Sequence, residues 1–182
     1  MSDFTRLLDT EIPRLRRYAR ALTRDAVYAD DLVQDSLARA LAKQHLWQRG
    51  TDLRAWLFTI LHNQHCKEVR RSAREGSSVD LDQAPPVSVP SYAVAGLELR
   101  DLQRAINRLP EDQRTVVLLI GLEGMRYDRV AAILNVPVGT VRSRLARGRA
   151  QLRRLMSAGP AVQAQPAFAP GLGPVTVRQR AA

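Results

Sequence analysis

At 182 residues with a net charge of +10, the chain has room for one domain or two small ones. Its charge favours a polyanionic partner, either nucleic acid or an anionic membrane surface. No apolar run approaches the roughly 20 residues of a spanning helix, so membrane insertion is not expected. A single cysteine, Cys66, excludes an internal disulfide framework and fits a reducing compartment. The N-terminus Met1-Ser2-Asp3-Phe4-Thr5-Arg6 has no basic segment leading into an apolar core, and a cytoplasmic location is the expectation. Only 5% of residues are aromatic, so the cores must be built from Leu, Val, Ile and Ala, which suits helices better than sheets.

In chain order, residues 1–74 are helix-patterned. Leu8, Ile12, Leu15, Ala19 and Leu22 form one apolar face, with Pro13 expected near a helix start or kink. Arg14, Arg16, Arg17, Arg20 and Arg24 decorate the remainder. A second helix is expected from about Val27 to Lys43, burying Leu32, Val33, Leu37 and Leu41. The cluster Gln48-Arg49-Gly50-Thr51-Asp52 reads as a loop in which Thr51 or Asp52 caps the next helix. That helix carries Trp56, Leu57, Ile60 and Leu61 and ends in Lys67, Arg70, Arg71 and Arg74. Residues 75–94 change character. Glu75 to Pro90 holds no basic residue and three prolines, the composition of an interdomain linker.

Helical patterning resumes over 95–156. Leu97, Leu99, Leu102 and Ile106 make one stripe, and Val116 to Ile120 continue it after Leu109-Pro110. Pro110 suits a helix start, with Glu111 and Asp112 at its positive end. Tyr127 to Leu134 form a short helix that stops at Asn135, a residue that tolerates the left-handed cap, and Pro137 blocks continuation. The next helix opens at Val138 or Gly139 and buries Val138, Val141, Leu145, Leu152 and Leu155. Gly121, Gly124 and Gly139 read as turn and junction positions. Residues 157–182 hold no acid and only Arg178 and Arg180 as charges, and read as a disordered tail. The fold class is therefore all-α, with two small helical domains on a flexible tether. Each is about 65–75 residues and thin-cored.

A short-turn helix pair whose second helix carries arginine and small polar residues has the geometry of a helix-turn-helix that enters a DNA major groove. Six arginines between Arg142 and Arg154, with no balancing carboxylate, weigh against a merely solvated face. Ser143 and Arg147, one turn apart, can reach base edges, while Arg142, Arg144, Arg149, Arg153 and Arg154 suit phosphates. Neutralising about six phosphates gives a salt slope near −5. On the second helix Asp30, Asp31, Gln34 and Asp35 pair at i,i+4. Such a stripe repels itself mildly, and a basic protein surface would offset that. The Leu53–Arg74 helix sets aromatic and amide groups beside cations, a composition that stacks on unpaired bases and tracks their backbone.

These motifs resemble, in order and spacing, the bacterial sigma-70 family, and within it the extracytoplasmic function (ECF) group. Asp30-Asp31-Leu32-Val33-Gln34-Asp35 resembles the core-polymerase-binding signature of region 2. Leu53-Arg54-Ala55-Trp56-Leu57-Phe58-Thr59-Ile60-Leu61-His62-Asn63 resembles the promoter-melting helix of that region. Leu109 to Arg114 and the helix-turn-helix ending Val138 to Arg147 are similar to region 4, and no room exists for regions 1.1 or 3. The resemblance implies a region 2 domain over 1–74, a linker over 75–94, a region 4 domain over 95–156 and a tail over 157–182. It implies core RNA polymerase, promoter DNA and an anti-sigma factor as partners. Asp30, Asp31, Gln34 and Asp35 would bind core polymerase. Thr140, Arg142, Ser143, Arg144, Arg147 and Arg149 would read the −35 element. Arg49, Thr51, Asp52, His62, Asn63, Lys67, Arg70 and Arg71 would serve the −10 element, where a base is turned out of the stack at a cost of a few kcal/mol. His62 stands where the family usually has Arg, and Lys67 where it usually has Asp.

No glycine-rich phosphate loop or nucleophile–base order is present, and no catalytic activity and no cofactor are expected. His62, His65 and Cys66 invite a zinc reading. Residues 65 and 66, however, point about 100° apart on a helix, and no fourth ligand is evident. Two readings compete with the sigma factor. One is a helix-turn-helix regulator acting on duplex DNA without polymerase, and the other is an adaptor that binds only protein.

Overall fold

The computed structural model describes residues 3–75 and 95–157, and every regular element among them is helical. The segments read as linker (75–94) and tail (157–182) lie outside the described residues, save Glu75 and Ser157 at their edges.

Helix α1 (Asp3–Thr23) packs against α2 (Ala26–Ala42), and α3 (Leu53–Arg74) lies across both. Leu8, Leu15, Tyr18, Ala19 and Leu22 of α1 meet Leu32, Val33, Leu37 and Ala40 of α2 and Leu57, Phe58 and Leu61 of α3. Tyr18 and Phe58 pack with ring centroids 5.1 Å apart and planes tilted by 51°. Asp25 caps α2 by accepting from the Val27 and Tyr28 N–H groups, and Asp52 caps α3 through the Ala55 N–H at 3.0 Å. Pro13 is not at a helix start and Leu41 is not buried, against expectation. Pro13 lies inside a continuous α1 and is exposed, so the Asp9 carbonyl left without its helical partner is on the water side. Leu41 is exposed, because Ala40 takes the core position beside it. Ile12, on the expected apolar face, is half-buried and packs against this core.

The second half begins with α4 (Ala95–Asn107). Helix α5 (Glu111–Val117) runs directly into a π-helical turn, Leu118–Leu122, and α6 (Tyr127–Leu134) and α7 (Val138–Ser157) follow. Leu99 and Leu102, on the stripe read from the sequence, are exposed. Helix α4 packs mainly on α7, and among its described side chains Ala105 is buried, with Leu109 buried just beyond its end. Asn135 has φ 51° and ψ 51°, the left-handed cap expected of it, and Thr140 and Val141 donate back to the Pro137 carbonyl to open α7. Of the glycines, Gly124 has a positive φ of 65° and makes the turn before α6. Gly121 is part of the π turn, and Gly139 already belongs to the first turn of α7. Gly148 is buried where α7 crosses α5; a Cβ there would stand 2.8 Å from Val117 Cγ2. Close approach of these two helices thus requires glycine.

The halves are in contact. Helix α3 packs on α6, α1 packs on the π turn, and one hydrophobic cluster extends from α1–α3 into α5–α7.

Candidate nucleic-acid and polymerase interfaces

Helix α7 separates its residues cleanly. Val141, Leu145 and Gly148 face inward and are buried. At about 100° per residue, the exposed Ser143 and Ala146 lie on the opposite side. Arg142, Arg149 and Arg153 line one flank of that crest, and Arg147 and Arg154 line the other; all are exposed. Small residues on a crest between two arginine rails let the backbone approach base edges while guanidinium groups reach phosphates on both groove walls. The Ser143 hydroxyl donates to the Thr140 carbonyl at 3.0 Å, which leaves its lone pairs outward as an acceptor. Arg147 Nε donates to the Ser143 carbonyl at 3.3 Å, which braces the side chain against the helix. Thr140 is half-buried at the start of α7. Arg144 departs from the set: its guanidinium turns inward to Asp112 at 3.2 Å, with the side chain 26% exposed.

On α2 the acidic face is split. Asp31, Gln34 and Asp35 are exposed, opposite the buried Leu32, Val33, Ser36, Leu37 and Ala40. Asp30 is half-buried, and its carboxylate accepts from Arg20 Nη2 at 3.1 and 3.2 Å. Three members of the proposed core-binding set therefore face solvent, and the fourth is partly neutralised within the chain.

The −10 candidates divide between open surface and the seam between halves. Asn63, Lys67, Arg70 and Arg71 run along the exposed side of α3, with Arg71 held to Glu68 at 2.6 Å. Arg49 is exposed 3.7 Å from Asp3, and the Thr51 hydroxyl donates to the Gln48 carbonyl at 2.7 Å. Asp52 caps α3 and meets Arg129 of α6 at 3.6 Å, across the seam. His62 is in the seam as well. With Cys66, Glu111, Asp112, Thr115, Leu134 and Arg144 it lines a cavity of about 270 Å³. Its Nε2 faces Cys66 Sγ at 3.4 Å, and its Nδ1 is buried without a partner.

Burial, reinforced by His65 and Arg144 and opposed by Glu111, lowers the His62 pKa from 6.5 to about 4. Glu111, hydrogen-bonded to His65, is held below the ordinary carboxylate range. Both shifts mean that the closed chain binds fewer protons than one in which these groups meet water. The seam's stability is present above about pH 6.5 and is lost as pH falls toward about 4. Acidification from about pH 7 to about pH 5 is expected to cost about 1–2 kcal/mol. Thermal melts at the two pH values measure this, and His62→Gln is expected to remove much of the difference. An unchanged pH dependence in that variant would contradict the assignment.

Glu123 and Arg114 in the seam were not marked by the sequence, whereas His65 and Cys66 were marked only for a zinc reading. Glu123, whose side chain is 0% exposed, accepts from Arg17 of α1 and from Arg54 of α3, each at 2.9 Å. His65 bridges Tyr28 and Glu111, both at 3.2 Å. Arg114 is buried with Nε and Nη1 unpartnered, and the Tyr18 hydroxyl is likewise without a partner. Burial and the charge of Arg24 lower the Arg114 pKa, so closing the two halves carries an electrostatic cost as well as a gain. Cys66 is half-buried and its thiol pKa is raised by burial. Among the described residues, no three His, Cys, Asp or Glu side chains converge on a metal-sized site, and no helix is long and apolar enough to cross a membrane.

Residues 8–62 match the family described as the sigma2 domain of PhyR, and residues 99–152 match sigma-70 region 4. The chain is 40% identical over 145 residues to the ECF RNA polymerase sigma factor EcfG of Rhodopseudomonas palustris, covering 80% of each protein. It belongs to the ECF sigma factors. It is also 32% identical over 153 residues to the ECF sigma factor SigM of Mycobacterium tuberculosis, covering 84% of this chain and 76% of that one. The fold of this sigma factor is similar to that of the sigma factor RpoE from Bartonella quintana, solved with the anti-sigma factor NepR. The TM-score is 0.76 at 37% identity, over 87% of this chain and 99% of that chain.

Proposed function

We propose that this sigma factor divides promoter recognition between its halves, with residues 1–74 as region 2, 75–94 as linker and 95–156 as region 4. The exposed acidic face of α2 (Asp31, Gln34, Asp35, with Asp30 at its edge) docks on a basic surface of core RNA polymerase. Helix α7 enters the major groove at the −35 element, with Ser143 and Arg147 toward base edges and Arg142 and Arg149 on phosphates. The loop at Arg49–Asp52 and the exposed side of α3 take the unpaired −10 strand. Preferential binding of that strand when unpaired shifts the duplex toward its melted state, so the chain needs no active site of its own. An anti-sigma factor acts as a partner, as NepR does for RpoE in the Bartonella complex. The working location is the cytoplasm, where the polymerase is.

The observation that carries this reading is the pairing of an exposed acidic face on one half (only Asp30 of its members is held by Arg20) with an arginine-railed recognition helix on the other. A helix-turn-helix regulator alone would need only the second. Run-off transcription with core enzyme decides between them. Promoter-specific transcripts are expected only when chain and core are both present. Transcription indifferent to the chain would reject the proposal.

A further inference from the structure

Two guanidinium groups from one half converge on a single carboxylate from the other. Arg17 Nε and Nη2 donate to Glu123 Oε1 at 3.0 and 2.9 Å, and Arg54 Nη2 donates to Oε2 at 2.9 Å. The Glu123 and Leu122 carbonyls accept further bonds from Arg54 and Arg17. The Glu123 side chain is fully enclosed, while Arg17 and Arg54 retain 52% and 24% of their side-chain exposure. The acceptor turn is thus seated on two guanidinium groups of the N-terminal half, with Glu11 Oε2 3.8 Å from Arg54 Nε at the edge of the site. Arg54 is in the first turn of α3, two residues after Asp52, so this site adjoins the loop assigned to the −10 strand.

We propose that Arg17 and Arg54 form a phosphate-binding site for the unpaired promoter strand, and that Glu123 occupies it as an internal phosphate mimic while the halves are closed. This rests on the sigma factor reading above. A phosphodiester is, like Glu123, a singly charged group that only accepts hydrogen bonds, and paired arginines suit such an anion. The closed state is also incompatible with reading a whole promoter. Elements named for positions −35 and −10 are about 25 base pairs apart, about 85 Å along a duplex at about 3.4 Å per step. In the closed chain the −10 loop touches region 4 directly, through Asp52 and Arg129. Opening releases Glu123 from the two arginines and exposes His62 and Arg144 in the same movement. The α2 acidic face is open throughout, so core polymerase can engage the closed chain first.

The test uses the full chain, small-angle scattering for its radius of gyration, and a fluorescent dT20 single strand in a salt series. Because phosphate contacts are indifferent to sequence, dT20 is a sufficient probe. Glu123→Ala is expected to enlarge the radius and to tighten dT20 binding by about tenfold or more, as the competent state becomes the major one. Its salt slope should exceed that of the Glu123→Ala/Arg17→Ala/Arg54→Ala variant by about 1.4, for two single-strand phosphates. An unchanged radius and affinity in Glu123→Ala, or equal slopes in the two variants, would overturn the proposal. Should Glu123→Ala lose helical content by circular dichroism, Glu123→Gln, which keeps the shape without the charge, carries the same readings. A run-off assay that fails while the dT20 gain persists would reject the sigma factor reading and leave the phosphate site standing.

Discussion

Reversing Asp31 and Asp35 to lysine is expected to weaken binding to core polymerase by about two to three orders of magnitude. Each reversal replaces attraction with like-charge repulsion against a basic surface, and such contacts are worth several kcal/mol when desolvated in an interface. The substitutions should leave the fold alone. Both residues are exposed, both lie beyond the first turn of α2, and both are on the face opposite the core residues Leu32, Val33 and Leu37. Surface changes of this kind usually move stability by no more than about 0.5 kcal/mol. Biolayer interferometry against immobilised core, with a melting curve as control, measures both quantities. Asp30→Lys is a sharper probe of the split within the set. Its carboxylate is shared with Arg20, so its loss should disturb α1–α2 packing as well as docking. Wild-type core affinity in the Asp31/Asp35 double variant would remove α2 from the polymerase interface.

The second large effect concerns α7. In holoenzyme, replacing Arg142, Arg147 and Arg149 together by alanine is expected to flatten the salt slope of binding to a −35-bearing duplex by about 2.7, at about 0.9 per phosphate contact. Affinity should fall on every sequence alike, because phosphates carry no base information. Ser143→Ala should behave differently. It removes an outward acceptor without removing charge, so it should leave the slope intact and change preference at one base pair by about 1–3 kcal/mol. Electrophoretic titration over a salt series and a panel of single-base duplexes separates the two outcomes. A triple variant with the parental slope would show that the arginine rails do not touch DNA.

The fold was legible where periodicity and punctuation agreed. Asn135 and Pro137 mark the tight turn, and Asp52 marks the start of α3, because each residue has a local conformational reason to be where it is. The inward line of α7 followed from Val141 and Leu145. One leucine was misread for a different reason. Leu41 of α2 falls on the helical stripe with Leu37, but a stripe is buried only where a neighbouring helix covers it, and Leu41 lies outside that cover. Pro13 broke a rule of thumb because its cost, about 3 kcal/mol in a helix interior, is offset by the packing of α1 on both sides of it.

The seam was the part least visible beforehand. Contacts such as Arg17–Glu123 and Arg54–Glu123 join residues separated by 106 and 69 positions, and no local pattern encodes them. A signal was available all the same. Glu123 is the one carboxylate in the run Val116-Val117-Leu118-Leu119-Ile120-Gly121-Leu122-Glu123-Gly124-Met125. A lone acid in so apolar a stretch must be paired when buried, and its partners had to be cations from elsewhere. Gly148 was missed too, since a glycine in a basic helix gives no hint that another helix crosses there.

The proposed division of labour sets an unpaired strand on one half and an intact duplex on the other, with core polymerase needed for both at once. Permanganate probing combined with a nuclease footprint on a single promoter fragment reads the two events together. With chain and core present, upstream protection and reactive thymines near the start site are expected on the same template, and neither component alone should give the reactive thymines. Upstream protection by the chain alone, with no reactive thymine when core is added, would contradict the account and return α7 to an ordinary duplex-binding regulator.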